Sequence, residues 1–528
     1  MLQKYVAVNK RNLTVAIKEG LRPMTCFFDS EHNDLPFFGN SMTQANFGNS
    51  HHSSFSMAHI PGRWLNALLN AENVLQQPAN ESAINKLQAW VYRSLELTDI
   101  GFPACIDIKT LAPIRETDLH NLREVMHALY SLVAYRHDLH AYDLALKLIQ
   151  QVNLYFDDQT CSFRTQAFET ENHAKLQCWN GTHLYASPFP VTMGRYIGPL
   201  VKFYRATGEA SALEQAIKLK NCCFEHVLNS QGDYDVEIFG GHTHSTTAML
   251  SSLAQLGETL CDLSILKRVD AFMKNGLKQI AIDTGWCIEG YHRQDDVGEI
   301  NNTSDIMETC IILGRAGFSG YFARAERILR AHFLPSQLLD THFIPELEDQ
   351  TSLATYRLAS QSIGAFGFPC PYGHEDHEGA QISFNWDIVG GGVGGLCEAQ
   401  RAVCQQVGAL HSINLLFNVS TSVLSFQNPY DGNGTATLTA FEEGTAIRLR
   451  IPAHCSAVTC SKQGAVENDE WMYLPVLHRN ETISLHFAFQ EAISYENFRG
   501  RVYVYRWHGE EVTGMESEGK RLCFFPMI

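Results

Sequence analysis

No stretch of this 528-residue chain approaches the roughly 18 uninterrupted apolar residues that crossing a bilayer requires. The first twenty residues, MLQKYVAVNKRNLTVAIKEG, lack both an apolar core and a small-residue cleavage site, so no secretion signal is read there. Positive charge is also short: Lys+Arg number 40 against 57 Asp+Glu, a net charge of -17. Binding to a phosphate backbone depends on clustered cations that release counterions, and this composition argues against a nucleic-acid partner. The 15 cysteines are odd in number and form no CxxC pair. They are expected to be buried free thiols in a reducing, cytoplasmic setting, with the adjacent Cys222-Cys223 packing at the end of a helix. The expectation is a soluble protein with neither membrane nor nucleic acid among its partners.

What the chain does have is length, 45% hydrophobic residues and a repeated pattern. From about residue 57 to 407, segments with apolar residues at i, i+3, i+4 and i+7 alternate, every second one leaving a Gly-, His- or Asn-rich loop. Those loop-proximal segments start at Pro61, Asp118, Met193, Thr243, Thr303 and Val393 and are apolar nearly all round, as doubly packed helices must be. Between them lie ordinary amphipathic helices, and NKRNLTVAIKEGL near the N-terminus supplies a sixth outer one. The pattern predicts a mainly α fold with C-terminal β: an (α/α)6 toroid barrel over residues 1–409, followed by a β-sandwich over 410–528 built from short alternating runs such as TAIRLRIPA and ETISLHFAF.

In such a toroid a pocket forms where the inner helices begin, and polar residues there face a shared cavity. On the second inner helix His120, Arg123, Glu124 and His127 make one polar stripe, with His120 and Arg123 placed to reach a substrate; the alternative is an Arg–Glu structural pair inside the barrel. FGGHTHST sets His242 and His244 beside a helix N-terminus, where they could hold a sugar hydroxyl or carboxylate. A metal there needs a third ligand that the sequence does not place, and ordinary capping by Thr243 or Ser245 is the alternative.

The richest stretch is EGYHRQDDVGEINNTSDIMETC, residues 289–310. It gathers His292, Arg293, Asp295, Asp296, Glu299, Asn301, Asn302, Asp305 and Glu308. Glycosidic cleavage needs one protonated carboxyl group at the leaving oxygen and a second as base or nucleophile, and this loop supplies candidates for both. Glu299 and Glu308 are the candidate catalytic pair, Glu308 because its sequence neighbours Ile306, Met307, Cys310 and Ile311 would favour its neutral form unless a cation pairs with it. Asp305, three residues after Asn302, reads as part of a helix cap. A last loop places His374, Glu375, His377 and Asp387 ahead of the run Gly390-Gly391-Gly392, expected to open the sixth inner helix and let backbone N–H groups approach a ligand. No βαβ context accompanies those glycines, so a dinucleotide site is rejected.

At Glu308-Thr309-Cys310 the chain resembles the β-L-arabinofuranosidases of glycoside hydrolase family 127, whose barrel carries a Glu-Thr-Cys motif on the matching inner helix. IRLRIPAHC at 447–455 and NETISLHFAF at 480–489 resemble that family's first sandwich strands. GEINNTSDIMETC and AERILRAHFLPSQ look closer still to glycoside hydrolase family 154, which includes β-glucuronidases. The family 127 resemblance implies a zinc held by that Glu and Cys with a Cys-Cys pair, one of whose cysteines is the nucleophile. Here Gly390-Gly391-Gly392 stand where the pair belongs, with Cys397 and Cys404 further along, so the zinc-thiolate is not carried over.

The sequence therefore points to an exo-acting glycosidase without cofactor or required metal, releasing a terminal sugar. A uronic acid is favoured because Arg123, Arg293 and the histidines could bind its carboxylate. His120, Arg123, His242, His244, His292, Arg293, Asp296, Asn301 and Asn302 are the expected substrate contacts. A carbohydrate is the expected partner, with homo-oligomerisation open. The rivals are a lyase or epimerase using His242 or His244 as base, and a glycan-binding protein without catalysis.

Overall fold

Twelve helices account for the repeated pattern, and they differ in how their first turns are satisfied. In chain order they are α1 (Leu13–Leu21), α2 (His59–Leu75), α3 (Glu81–Glu96), α4 (Leu122–Arg136), α5 (Leu139–Tyr155), α6 (Ile197–Thr207), α7 (Ala210–His226), α8 (Thr243–Leu260), α9 (Leu263–Lys274), α10 (Ile300–Arg315), α11 (Tyr321–Ile328) and α12 (Trp386–Val403). This computed structural model describes all residues except 1–4, 42–49, 178–188, 345, 347–352, 354, 375–382 and 517–521. Glu375 and His377 lie outside the described residues.

The even-numbered helices pack each on the next, and α12 packs back on α2, closing a ring. Each odd-numbered helix lies outside: α3 on α2, α5 on α4, α7 on α6, α9 on α8, α11 on α10, and α1 on α12. The N-terminal helix thus completes the sixth hairpin with the last inner helix. Sequence texture follows position. On α8 every residue from Thr243 to Gly257 is buried, because one face meets the ring axis and the other an outer helix. On α9 burial is confined to Ile265, Leu266, Val269, Phe272 and Met273, one stripe of an amphipathic helix.

Five of the six outer helices are capped by their own N-cap side chains, from Asn12, Asn80, Asp138, Glu209 and Asp262. None of the six inner helices is: Ala58, Asn121, Tyr196, His242, Glu299 and Asn385 make no side-chain cap bond. One end of the ring therefore gathers helix N-termini whose N-cap side chains are not spent on capping.

The glycine run does not precede α12 as the sequence suggests; the helix begins at Trp386 and contains it. Helical glycine costs about 1 kcal/mol relative to alanine, and close packing offsets that here. A Cβ on Gly390 would lie 3.0 Å from the Arg63 backbone oxygen, one on Gly391 would collide with Asn301 Oδ1, and one on Gly395 with Ser304 Oγ. The glycines bring α12 onto α2 and α10, and Gly390, Gly391, Gly394 and Gly395 also line a cavity on the ring axis.

After α12 come two five-stranded sheets. One runs in the order Cys404–Val407, Leu410–Ile413, Ala446–Arg450, Trp471–Tyr473, Val466–Asn468; the other in the order Val419–Ser420, Leu424–Gln427, Thr435–Ala440, Thr482–Phe489, Cys455–Cys460. Alternate residues of both point into one shared core containing Leu449, Phe426, Leu438 and Leu485. A third sheet, Glu491–Phe498 with Arg501–His508 and Glu511–Met515, contributes Tyr503, Tyr505, Trp507 and Val512 to the helical core instead.

The cysteine expectation needs one correction. Cys161 and Cys222 form a disulfide, because packing of α5 against α7 brings their Cα atoms to 5.6 Å. Twelve other cysteines among the described residues are free. No helix among the described residues is long and apolar enough to cross a membrane.

Candidate functional site

The loop before α10 is fixed at several points. His242 bridges to Gly290 and Ile288 to Gly298, and Thr243 Oγ1 donates to the carbonyls of Ile288 and Glu289. Gly298 lies against the Trp286 ring, where a Cβ would collide with the indole nitrogen. That nitrogen donates to the Pro369 carbonyl. Glu299, the next residue, is thereby set at the N-cap of α10 and turned toward the ring axis.

Two cavities of about 50 Å³ lie at this end. The outer is lined by His59, His120, His242, His244, Glu289, Glu299 and Asp387, with aromatic walls from Phe38, Phe55 and Phe368. The inner, which shares His244, is lined by Arg63, Arg123, Glu124, His127, Lys202, Asn301, Asp305, Glu308 and Glu398. Each has room for an ion, a water or two, or one functional group of a larger ligand. A roomier cavity, about 330 Å³, lies at the opposite end of the ring and shares Lys202, Glu308 and Glu398 with the inner one.

Glu124, fully buried, organises the charges. It accepts hydrogen bonds from Arg63 Nε (3.0 Å), Arg123 Nη1 (2.9 Å) and Arg195. Burial opposes its ionisation, but Arg123, Arg63 and Arg195 together hold it well below the usual carboxylate range. Arg63 also pairs with Asp387 at 3.0 Å, which in turn lies 3.3 Å from His59 Nε2. Arg195 Nη1 stands 2.8 Å from His120 Nε2.

Glu299 is different. Burial, then the charges of Asp387 and Glu289, push its carboxyl up to about 8. Among the described residues no Lys or Arg forms an ion pair with it; its neighbours are Asn301 Nδ2, donating over 2.6 Å, and His244 Nδ1 at 3.4 Å. Asp305 is raised by burial to about 6 despite Arg123. Its Oδ2 lies 3.4 Å from His244 Nε2 and accepts from Thr247, and its Oδ1 lies 3.6 Å from Arg123. Burial, reinforced by Arg195 and Arg63, lowers His242 to about 3 and His244 well below its ordinary value.

The structure brings most of the sequence-derived candidates together, but not all. His120, His242, His244 and Glu299 line the outer cavity; Arg123, Asn301 and Glu308 line the inner. Glu308 does not sit among the apolar residues adjacent to it in sequence. They lie elsewhere around α10, while Glu308 faces the axis, accepts from Ser251 Oγ at 2.6 Å and pairs with Lys202 at 3.6 Å. Asn302 lines none of the described cavities, because it bridges Thr243 and Thr247 between α8 and α10. His292 is exposed, its ring lying against Gly241. Arg293 is taken up by Asp295 and Glu289, and Asp296 by Arg501 of the third sheet. Asp305 is no cap residue: α10 starts at Ile300, three residues before the expected Thr303, which carries Asp305 past the first turn and onto the axis.

Sequence reasoning missed Arg63, Arg195 and Lys202. Arg63 is the one cation of its segment, and Arg195 and Lys202 lie with Arg205 in the largely apolar segment from Met193; cations in segments apolar enough to be inner helices were the available signal.

The zinc implied by the family resemblance does not fit. Glu308 faces the axis, whereas Cys310 is buried near Tyr321 and Arg324 of the outer helix α11, and the positions of the Cys-Cys pair are glycines inside α12. His242, His244 and Glu299, by contrast, bring three ligand atoms within 4.8 Å of one another. The carboxylate is the third ligand that the sequence could not place beside the histidine pair.

No family model matches the chain, and no curated protein matches it. Solved structures do. A glycoside hydrolase family 127 β-arabinofuranosidase superposes with a TM-score of 0.60 at 13% identity, over 94% of this chain and 79% of that one. A β-L-arabinofuranosidase of the same family from Geobacillus stearothermophilus T6 gives 0.54 at 12% identity, over 94% and 80%. A chain described as a glycoside hydrolase gives 0.57 at 12% identity, over 87% and 77%. At these identities what is shared is the fold.

Proposed function

We propose that the chain is an exo-acting glycoside hydrolase on an (α/α)6 barrel, releasing a terminal sugar at the end where the inner helices begin. The observation that carries the reading is the pair Asp305 and Glu308, three residues apart on α10, which line one cavity with Arg123 and Lys202. Residues at i and i+3 share a helix face, their Cβ atoms about 5–6 Å apart. Cleavage of a glycosidic bond requires two carboxyl groups beside it, and both of these line the same cavity. The pairing replaces Glu299 of the sequence reading by Asp305, since Glu299 lines the neighbouring cavity.

The fold shared with family 127 glycosidases supports a hydrolase as the class. The small inner cavity suits functional groups of the sugar while the remainder lies outward, which favours an exo-acting enzyme. A sugar carboxylate is favoured because Arg123 and Lys202 would meet it from α4 and α6. Hydrolysis of aryl α- and β-glycosides, uronides included, tests the reading. Asp305→Asn and Glu308→Gln are each expected to lower kcat by about 10²–10⁴. Unchanged turnover in either variant removes that residue from the assignment, and no turnover of any glycoside by the native chain sinks the reading.

A further inference from the structure

We propose that His242, His244 and Glu299 bind one divalent transition-metal ion, of the zinc class, with open coordination positions facing the outer cavity. The inference rests on that end of the ring being the substrate site and gives the site a Lewis-acidic anchor for a sugar oxygen.

The spacing is that of a ligand set around an ion. His244 Nδ1 and Glu299 Oε1 are 3.4 Å apart, beyond a good hydrogen bond. Two atoms each about 2.1 Å from a tetrahedral zinc stand about 3.4 Å from one another. The donor atoms of all three residues lie within 4.8 Å of one another, so His242 completes the set.

The groups behind the ligands are those a metal site needs. His242 Nδ1 is held by Ser245 Oγ at 2.7 Å, so coordination falls to its Nε2. His244 Nε2 is buried and makes no hydrogen bond, yet Asp305 Oδ2 waits 3.4 Å away. With Nδ1 on a metal, Nε2 carries the proton and points it at that carboxylate, the arrangement that orients metal-bound histidines elsewhere. Glu299 is steadied by the Asn301 amide.

Two further observations point the same way. His242 and Glu299 occupy the N-cap positions of α8 and α10, yet neither caps its helix. Glu299 is also a buried carboxyl with no cationic partner among the described residues, while nearby Glu124 and Asp387 both pair with Arg63. An ion would supply the missing charge. Two imidazoles and one carboxylate, leaving positions open, is the ligand count of a catalytic rather than a structural zinc site.

The test uses the full chain, stripped with a chelator and titrated with Zn²⁺ or Co²⁺, with elemental analysis after dialysis. One ion per chain is expected, together with the visible absorption of Co²⁺ in a low-symmetry protein site and a raised Tm. Glu299→Gln and His244→Ala are expected to lose the ion, and Asp305→Asn to bind it about 10–100-fold more weakly. His140→Ala, on an outer helix, should bind it normally. Because His244→Ala could disturb packing, the deciding variant is Glu299→Gln, checked for a native-like melt without metal. Stoichiometric binding retained in that folded variant, or none in the native chain, overturns the proposal. Binding without hydrolysis of any glycoside would leave the site standing and sink only the glycosidase reading; hydrolysis by a chain that binds no ion would do the reverse.

Discussion

Glu326 of α11 accepts a hydrogen bond from Arg450 of the strand Ala446–Arg450, and neither side chain has any solvent exposure. Arg330 donates to the same carboxylate at 2.9 Å, and the Leu416 N–H at 2.8 Å. Burial raises the carboxyl and the two arginines outweigh it, so Glu326 titrates below its ordinary value. The helical ring and the first sheet are joined through ions that have no water to fall back on.

Arg450→Met is accordingly expected to destabilise the chain by about 3–5 kcal/mol, since removing one partner strands buried charge. Chemical denaturation would measure it. The double variant Arg450→Met, Glu326→Leu should recover part of the loss. The carboxyl is depressed in the fold, so its contribution is full above the unfolded value near 4.5 and fades as pH falls through the folded one. The native chain should lose stability on acidification more steeply than the double variant.

Glycines on α12 should separate by position. Gly391→Ala and Gly395→Ala put a methyl against Asn301 and Ser304 and should cost about 1–3 kcal/mol. A methyl added at Gly394 would meet nothing within 4 Å, so Gly394→Ala should be neutral or gain up to about 1 kcal/mol from helix propensity. Thermal melts of the three would settle the order, and equal losses at all three would contradict close helix packing as the reason for the run.

Glu496, in the third sheet, is pushed up to about 7 by burial and by Asp283, while accepting the Asp283 N–H at 2.7 Å. A raised carboxyl makes the folded state hold its proton longer, so stability falls as pH rises from about 4.5 and levels off above 7. Glu496→Gln keeps the acceptor and removes the ionisation. At pH 8 it should be more stable than the native chain by about 1–2 kcal/mol, discounted for partial exposure, and no more stable at pH 4.

The Cys161–Cys222 bond closes a segment spanning 61 residues. Cys161→Ser should lower stability by about 2–4 kcal/mol under oxidising conditions and leave it unchanged in the presence of a strong reductant. A difference that persists after reduction would assign the effect to packing instead.

Much of the fold was legible because it follows from periodicity. The all-round apolar segments became inner helices and the one-striped ones outer helices, down to α1. Boundaries were less legible: α10 and α12 begin three and seven residues before the expected Thr303 and Val393, since the polar Asn301 and Asn302 of one, and Asp387 and the glycines of the other, read as loop. That error hid Asp305. Individual placements such as Asp296 failed for a different reason, because its partner Arg501 is 205 residues away and no local pattern announces it. The cavity residues most visible in sequence, His242, His244 and Glu299, come from two helix starts aligned by long-range contacts such as the bridge between His242 and Gly290 and the bond of Asn302 to Thr243.

Lys202, Glu308 and Glu398 border both the inner cavity and the larger space at the far end of the ring. Three side chains therefore serve as a bulkhead across an otherwise open axle. Shortening any of them would let bulk solvent leak in from behind, so a kinetic defect in a truncated Glu308 variant has two sources: a lost carboxyl and a flooded chamber. Glu398→Ala, which shortens the barrier without touching α10, is the variant that separates them.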